Sequence, residues 1–148
     1  MSKKRVLILC TGNSARSQMA EGLLGNMAGE DFEVYSAGTK PVGLNPNAVA
    51  AMKEAGIDIS NHRSKSVDEF AGQQFDYVIT VCDNAKESCP IFPGASTRLH
   101  LSFEDPAAAA DGQQLETFRR VRDQIRDWLL VFHRNPKGSE AGVSRILP

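Results

Sequence analysis

Residues 5–16 constrain this chain more than any other stretch. Arg5-Val6-Leu7-Ile8-Leu9 is a short, nearly continuous apolar run, as expected of a strand buried on both faces. It gives way to a polar turn, Cys10-Thr11-Gly12-Asn13-Ser14, and then directly to helical periodicity, with Met19, Leu23, Leu24 and Met27 three and four apart. A buried strand that turns at once into an amphipathic helix is the opening of a βα unit.

The pattern then repeats. Glu33 to Ala37 reads as a second strand closed by Gly38, and Asn45-Pro46 opens a second helix with Ala48, Val49, Met52 and Ala55 on one face, ended by Gly56. Val67 to Ala71 is expected to form a short helical piece. Phe75 to Val81 reads as a third strand and Thr97 to Leu101 as a fourth. Leu115, Phe118, Val121, Ile125, Trp128, Leu129 and Phe132 follow the 3.6-residue period, which predicts a long final helix. The expected fold is α/β: a single domain over 1–134 with a mostly parallel four-stranded sheet flanked by helices, and a flexible tail over 135–148. In such open sheets ligands bind at the carboxyl ends of the strands, where Cys10, Cys82 and Asp105 all fall.

Seventeen basic residues against eighteen acidic ones leave a net charge of −1, which argues against a partner held by bulk charge such as nucleic acid. The apolar run Val6 to Cys10 is far shorter than the ~20 residues that span a bilayer, and too short for a signal-peptide core. The expectation is a cytoplasmic monomer without a membrane partner. Three unevenly spaced cysteines, Cys10, Cys82 and Cys89, read as reactive thiols rather than a disulfide framework.

Cys10 to Arg16 is a Cys-x5-Arg loop running into a helix. Backbone N–H groups of such a turn and of the helix N-terminus converge to form an oxyanion nest. Arg16 adds a planar fork suited to two oxygens of a tetrahedral anion, and the same positive field favours a thiolate on Cys10. Ser17 is placed to donate to that sulfur. Thr11, Gly12, Asn13, Ser14, Ala15, Arg16 and Ser17 are thus the expected substrate-binding residues. In the turn-forming sequence Phe103-Glu104-Asp105-Pro106, Asp105 offers a carboxyl group for general-acid work, with its neighbour Glu104 as the alternative.

The run Cys10-Thr-Gly-Asn-Ser-Ala-Arg-Ser-Gln-Met-Ala-Glu21 resembles the signature of the low-molecular-weight tyrosine phosphatase superfamily, and in particular its thioredoxin-coupled arsenate reductase branch. The resemblance continues through Tyr35-Ser-Ala-Gly38, Gly43 to Ala48, Gly56 to Ser60, Thr80-Val-Cys-Asp83, Cys89-Pro90 and Phe103 to Pro106, covering about residues 4–133. It implies a relay: Cys10 attacks arsenate with Asp105 as acid, Cys82 attacks Cys10 and releases arsenite, Cys89 attacks Cys82, and thioredoxin reduces the product. No bound cofactor is implied. The alternative within the superfamily is a phosphotyrosine phosphatase, which needs only the loop Cys, Arg and an acid. Gln18 stands where those phosphatases commonly carry Pro, and Ala107 and Ala108 follow Asp105-Pro106 where an aromatic would sandwich a phenyl ring.

Two further expectations follow. If 82–89 is helical when reduced, its ends lie ~10.5 Å apart, beyond disulfide reach, so the segment must unwind for Cys82 to join Cys89. The resemblance also implies a potassium site at Asn13, Glu21 and Ser36, but Lys65 stands where that set has an acidic residue, and no firm metal site is expected. Arg119, Arg120, Arg122 and Arg126 are read as a solvated helix face.

Overall fold

The computed structural model describes residues 3–82 and 91–136. Four strands, β1 (Lys4–Cys10), β2 (Phe32–Gly38), β3 (Phe75–Thr80) and β4 (Ala95–His100), form one sheet in the order β2-β1-β3-β4. Every neighbouring pair is parallel. Three α-helices accompany them: α1 (Arg16–Ala28), α2 (Pro46–Glu54) and α3 (Gln114–Arg134). Single 3-10 turns lie at Val67–Phe70 and Pro106–Ala108.

The apolar run of β1 is buried on both faces, and its alternation sorts it between two cores. Val6, Ile8 and Cys10 join the larger cluster under α1 and α3, whereas Leu7 and Leu9 join Phe70, Phe75, Val78 and Phe92 on the opposite face. α3 lays Phe118, Val121, Ile125, Trp128, Leu129 and Phe132 into the larger core as one stripe. Each such side chain contributes roughly 1.5–3 kcal/mol when fully buried. The rings of Trp128 and Phe132 stack with centroids 5.3 Å apart.

Element boundaries differ modestly from expectation. β4 begins at Ala95, two residues early, because the alternation there is weak: Ser96 and Arg98 are exposed and only Leu99 is buried. The helical piece after Ser66 is a single 3-10 turn, capped by the Ser66 hydroxyl accepting from the Asp68 N–H. α2 ends as expected: Gly56 adopts φ +82° and its N–H returns to the Lys53 carbonyl.

The arginine face of α3 is only partly solvated. Arg119 and Arg120 reach across to Glu54 and Glu104, but Arg122 is largely buried and donates to the Ala51 carbonyl at 2.6 Å, pinning α3 to α2. Among the described residues no helix is long and apolar enough to cross a membrane. The tail from residue 137 onward lies outside the described residues.

Candidate active site

β1 sits between β2 and β3, so its carboxyl end opens where the strand order reverses, the position at which open α/β sheets bind ligands. Cys10 is the last residue of β1 and Arg16 the first of α1, and the loop between them spans that position. Asn13 carries the only positive φ (46°) of any non-glycine residue among those described, a conformation asparagine tolerates better than most.

The loop is held from outside by its carbonyls. Those of Thr11, Gly12 and Ser14 accept from the backbone N–H groups of Lys40, Val42 and Asn45 at 2.9–3.1 Å. The Gly12 carbonyl also accepts from the Ser64 hydroxyl, and the Asn13 carbonyl from the Gln18 amide. Across each planar peptide the N–H opposes the C=O, so these anchors leave the following N–H groups turned toward the cleft. No side chain caps α1, and its first turn holds no acidic residue. That is the electrostatic character of an anion site.

The cleft has a volume of about 460 Å³ and is lined by Cys10, Thr11, Gly12, Ser14, Ala15 and Arg16 on the loop side. Val42, Leu44, Pro46, Asp105 and Ala107 form its rim, with no aromatic ring among them. Arg16 is buried; its Nη1 donates to the Phe103 carbonyl at 3.1 Å, and its Nη2 stands 4.0 Å from Asp105 Oδ2. Asp105 is half exposed, and its other oxygen accepts the Ala107 N–H at 3.0 Å. The carboxyl group therefore overhangs the loop with one oxygen toward the arginine.

Beneath the cleft lies a continuous hydrogen-bonded chain. The Cys10 sulfur is 2.9 Å from Ser17 Oγ. Asn13 Nδ2 donates to Ser17 Oγ at 2.8 Å and to Ser36 Oγ at 2.9 Å, and the Ser36 hydroxyl donates to Glu21 at 2.5 Å. Asn13 Oδ1 accepts from the Lys65 backbone N–H at 2.8 Å and from Gln18 Nε2 at 3.1 Å. A backbone N–H can only donate, which fixes the orientation of the Asn13 amide.

Asn13, Glu21 and Ser36 are thus brought together, but the set does not fit a potassium ion. Asn13 Oδ1 already accepts from the Lys65 N–H and Gln18, the Ser36 oxygen accepts from Asn13 Nδ2, and the Lys65 ammonium stands 3.9 Å from Glu21.

Gly38 is a site residue whose role the sequence reading reduced to closing a strand. A Cβ there would lie 2.5 Å from the Thr11 carbonyl oxygen and 2.8 Å from the Asn13 nitrogen, so only glycine lets the loop sit on β2. Gln18, read only as a departure from proline, ties Asn13 to the Arg63 carbonyl and to His62.

Cys82 follows β3 and is buried in the same apolar cluster as Cys10, with Leu99, Leu101 and Phe103. The strands that carry the two cysteines are neighbours: Leu9 pairs with Thr80, and the Val81 N–H donates to the Leu9 carbonyl at 2.9 Å. Cys89, and the expected unwinding of 82–89, fall on residues 83–90, outside those described.

The model of the low molecular weight phosphotyrosine protein phosphatase family matches residues 5–137. The chain belongs to this family. Within it, the chain is 48% identical over 134 residues to an arsenate reductase of Oceanobacillus iheyensis, covering 89% of this chain and 96% of that one. A solved arsenate reductase in its phosphate-binding state superposes with a TM-score of 0.76 at 34% identity, covering 87% of this chain and 95% of the other. A thioredoxin-dependent arsenate reductase of Corynebacterium glutamicum is similar with a TM-score of 0.62 at 29% identity, covering 88% of this chain and 62% of its own length. Family membership thus accounts for the parallel sheet and for a loop placed at its carboxyl edge.

Proposed function

We propose that the chain reduces arsenate to arsenite through Cys10, Cys82 and Cys89, with thioredoxin as the source of electrons. The observation that carries this reading is a second buried cysteine, Cys82, just past the end of the strand that neighbours the one carrying Cys10 and in the same apolar cluster. A phosphatase has no use for that thiol. The similarity to arsenate reductases supports the same reading.

The chemistry closes as follows. Arsenate, a tetrahedral oxyanion, is held by the loop N–H groups and Arg16. The Cys10 thiolate attacks arsenic, and one arsenic oxygen leaves as water with a proton from Asp105. The Cys82 thiolate then attacks the Cys10 sulfur. The electron pair of the sulfur–arsenic bond passes to arsenic, which leaves as arsenite in the trivalent state, and a Cys10–Cys82 disulfide remains. Cys89 attacks Cys82 and frees Cys10. The dithiol of thioredoxin reduces the resulting Cys82–Cys89 disulfide by two electrons and restores the three thiols. A reducing compartment, the cytoplasm, keeps that resting state. The rim of Val42, Leu44, Pro46 and Ala107 offers no ring to sandwich a phenyl group, which weighs against phosphotyrosine as the substrate.

The test is NADPH consumption with arsenate, thioredoxin and thioredoxin reductase. Sustained arsenate-dependent consumption is expected. Cys10→Ser should abolish it, and Cys89→Ser should permit about one turnover before stalling as Cys10–Cys82. A Cys89→Ser variant that cycles normally, or wild-type protein that consumes no NADPH at any arsenate concentration, overturns the reading.

A further inference from the structure

Lys65 is fastened around the underside of the loop at three points. Its N–H donates to Asn13 Oδ1 at 2.8 Å, its carbonyl accepts from the Gly38 N–H at 2.9 Å, and its side chain runs inward, only 12% exposed. The ammonium donates to the Arg63 carbonyl at 2.8 Å and lies 3.9 Å from Glu21 Oε1. His62 Nδ1 stands 3.7 Å from the other Glu21 oxygen. Glu21 Oε1 is the atom that accepts the Ser36 hydroxyl, and Ser36 is the second acceptor of the Asn13 amide that orients Ser17 against Cys10.

We propose that Lys65 is a positioning residue whose ammonium serves as a built-in monovalent cation, fixing Glu21 and, through Ser36 and Asn13, the pose of Ser17 on the Cys10 sulfur, so that the loop needs no bound potassium. The Glu21 carboxylate is only 19% exposed and accepts the Ser36 hydroxyl, so a cation beside it offsets the cost of taking that group from water. A free potassium ion would supply that charge only when bound. The Lys65 ammonium supplies it at a fixed place, because the backbone bonds on either side of Cα already hold the residue. Burial pushes the Lys65 pKa down while Glu21 pulls it up, as expected of an ammonium taken from water toward a carboxylate.

The inference rests on Cys10 acting as a thiolate, and its test makes no use of arsenate, so its failure is separable from failure of the reductase reading. Thermal midpoint and the pH midpoint of Cys10 thiolate absorbance are measured in KCl and in tetramethylammonium chloride at equal ionic strength. Wild-type protein should give the same values in both salts. Lys65→Met should have a lower thermal midpoint and a higher thiolate midpoint in tetramethylammonium chloride, with potassium restoring part of both. Glu21→Gln added to Lys65→Met should abolish the potassium response. Lys65→Arg should restore the wild-type thiolate midpoint. Wild-type protein that is stabilised by potassium, or a Lys65→Met variant with an unchanged thiolate midpoint, overturns the proposal. The wild-type salt comparison stands even if Lys65→Met fails to fold.

Discussion

The Ser17 hydroxyl lies 2.9 Å from the Cys10 sulfur, while its oxygen accepts the Asn13 amide N–H at 2.8 Å. With Cys10 as the thiolate that the proposed reaction uses, the sulfur can only accept, so the Ser17 hydroxyl is the donor. A hydrogen bond to a charged group contributes about 1.5–3 kcal/mol. Ser17→Ala should therefore lower arsenate turnover about 10- to 100-fold, since about 1.4 kcal/mol is a factor of ten. Its thiolate absorbance should appear at higher pH than in wild type. Unchanged absorbance and turnover would remove Ser17 from the site.

Gly38→Ala places a methyl group against three backbone atoms of the loop, the nearest 2.5 Å away. Backbone cannot rotate aside as a side chain can, so the loop must lift from β2. The expected cost is about 1–3 kcal/mol of stability, as for other overpacked sites. Because the displaced atoms belong to Thr11, Asn13 and Cys10, phosphate binding should weaken in parallel. Calorimetric titration with inorganic phosphate, beside a denaturant melt, checks both effects.

What could be read from the chain, and what could not, divides along one line. β1, the Cys10–Arg16 loop and α3 were legible because each is a contiguous pattern: an apolar run, a turn composition, a 3.6-residue stripe. The contact of Gly38 with the loop, the Lys65 ammonium beside Glu21 and the burial of Arg122 under the Ala51 carbonyl join segments far apart in sequence. Such contacts leave no periodicity. A charged residue on a helix looks the same whether its partner is water or a carbonyl of the next helix. Ser17 was the exception, since a helix's first turn places it beside the loop cysteine by local geometry alone.

Asp105 is the acid in the proposed reaction, and its setting makes the role separable from structure. One oxygen accepts the Ala107 N–H, which an asparagine oxygen could do equally, and the other faces Arg16 at 4.0 Å. Asp105→Asn should keep the turn, the thermal midpoint and phosphate affinity while lowering the maximal rate about 100-fold or more. A loss of phosphate affinity matching the loss of rate would mean that Asp105 holds the loop instead.

His100 gives the fold a defined response to acid. Its Nδ1 is 2.6 Å from Thr80 Oγ1, and its Nε2 is buried with no hydrogen-bond partner among the described residues. Burial pushes its pKa below the ordinary 6.5. A histidine kept neutral in the folded state binds fewer protons there than in the unfolded chain, so stability falls as pH drops below about 6.5 toward the depressed folded value. The carboxylates held low by arginines, Glu54 beside Arg119 and Glu69 beside Arg63, respond in a different window, below their ordinary 4.5. Denaturant melts at pH 7.5 and pH 5.5 should therefore differ in wild-type protein and differ less in His100→Gln. An equal loss in both would assign the acid response to other groups and leave the buried imidazole protonated without penalty.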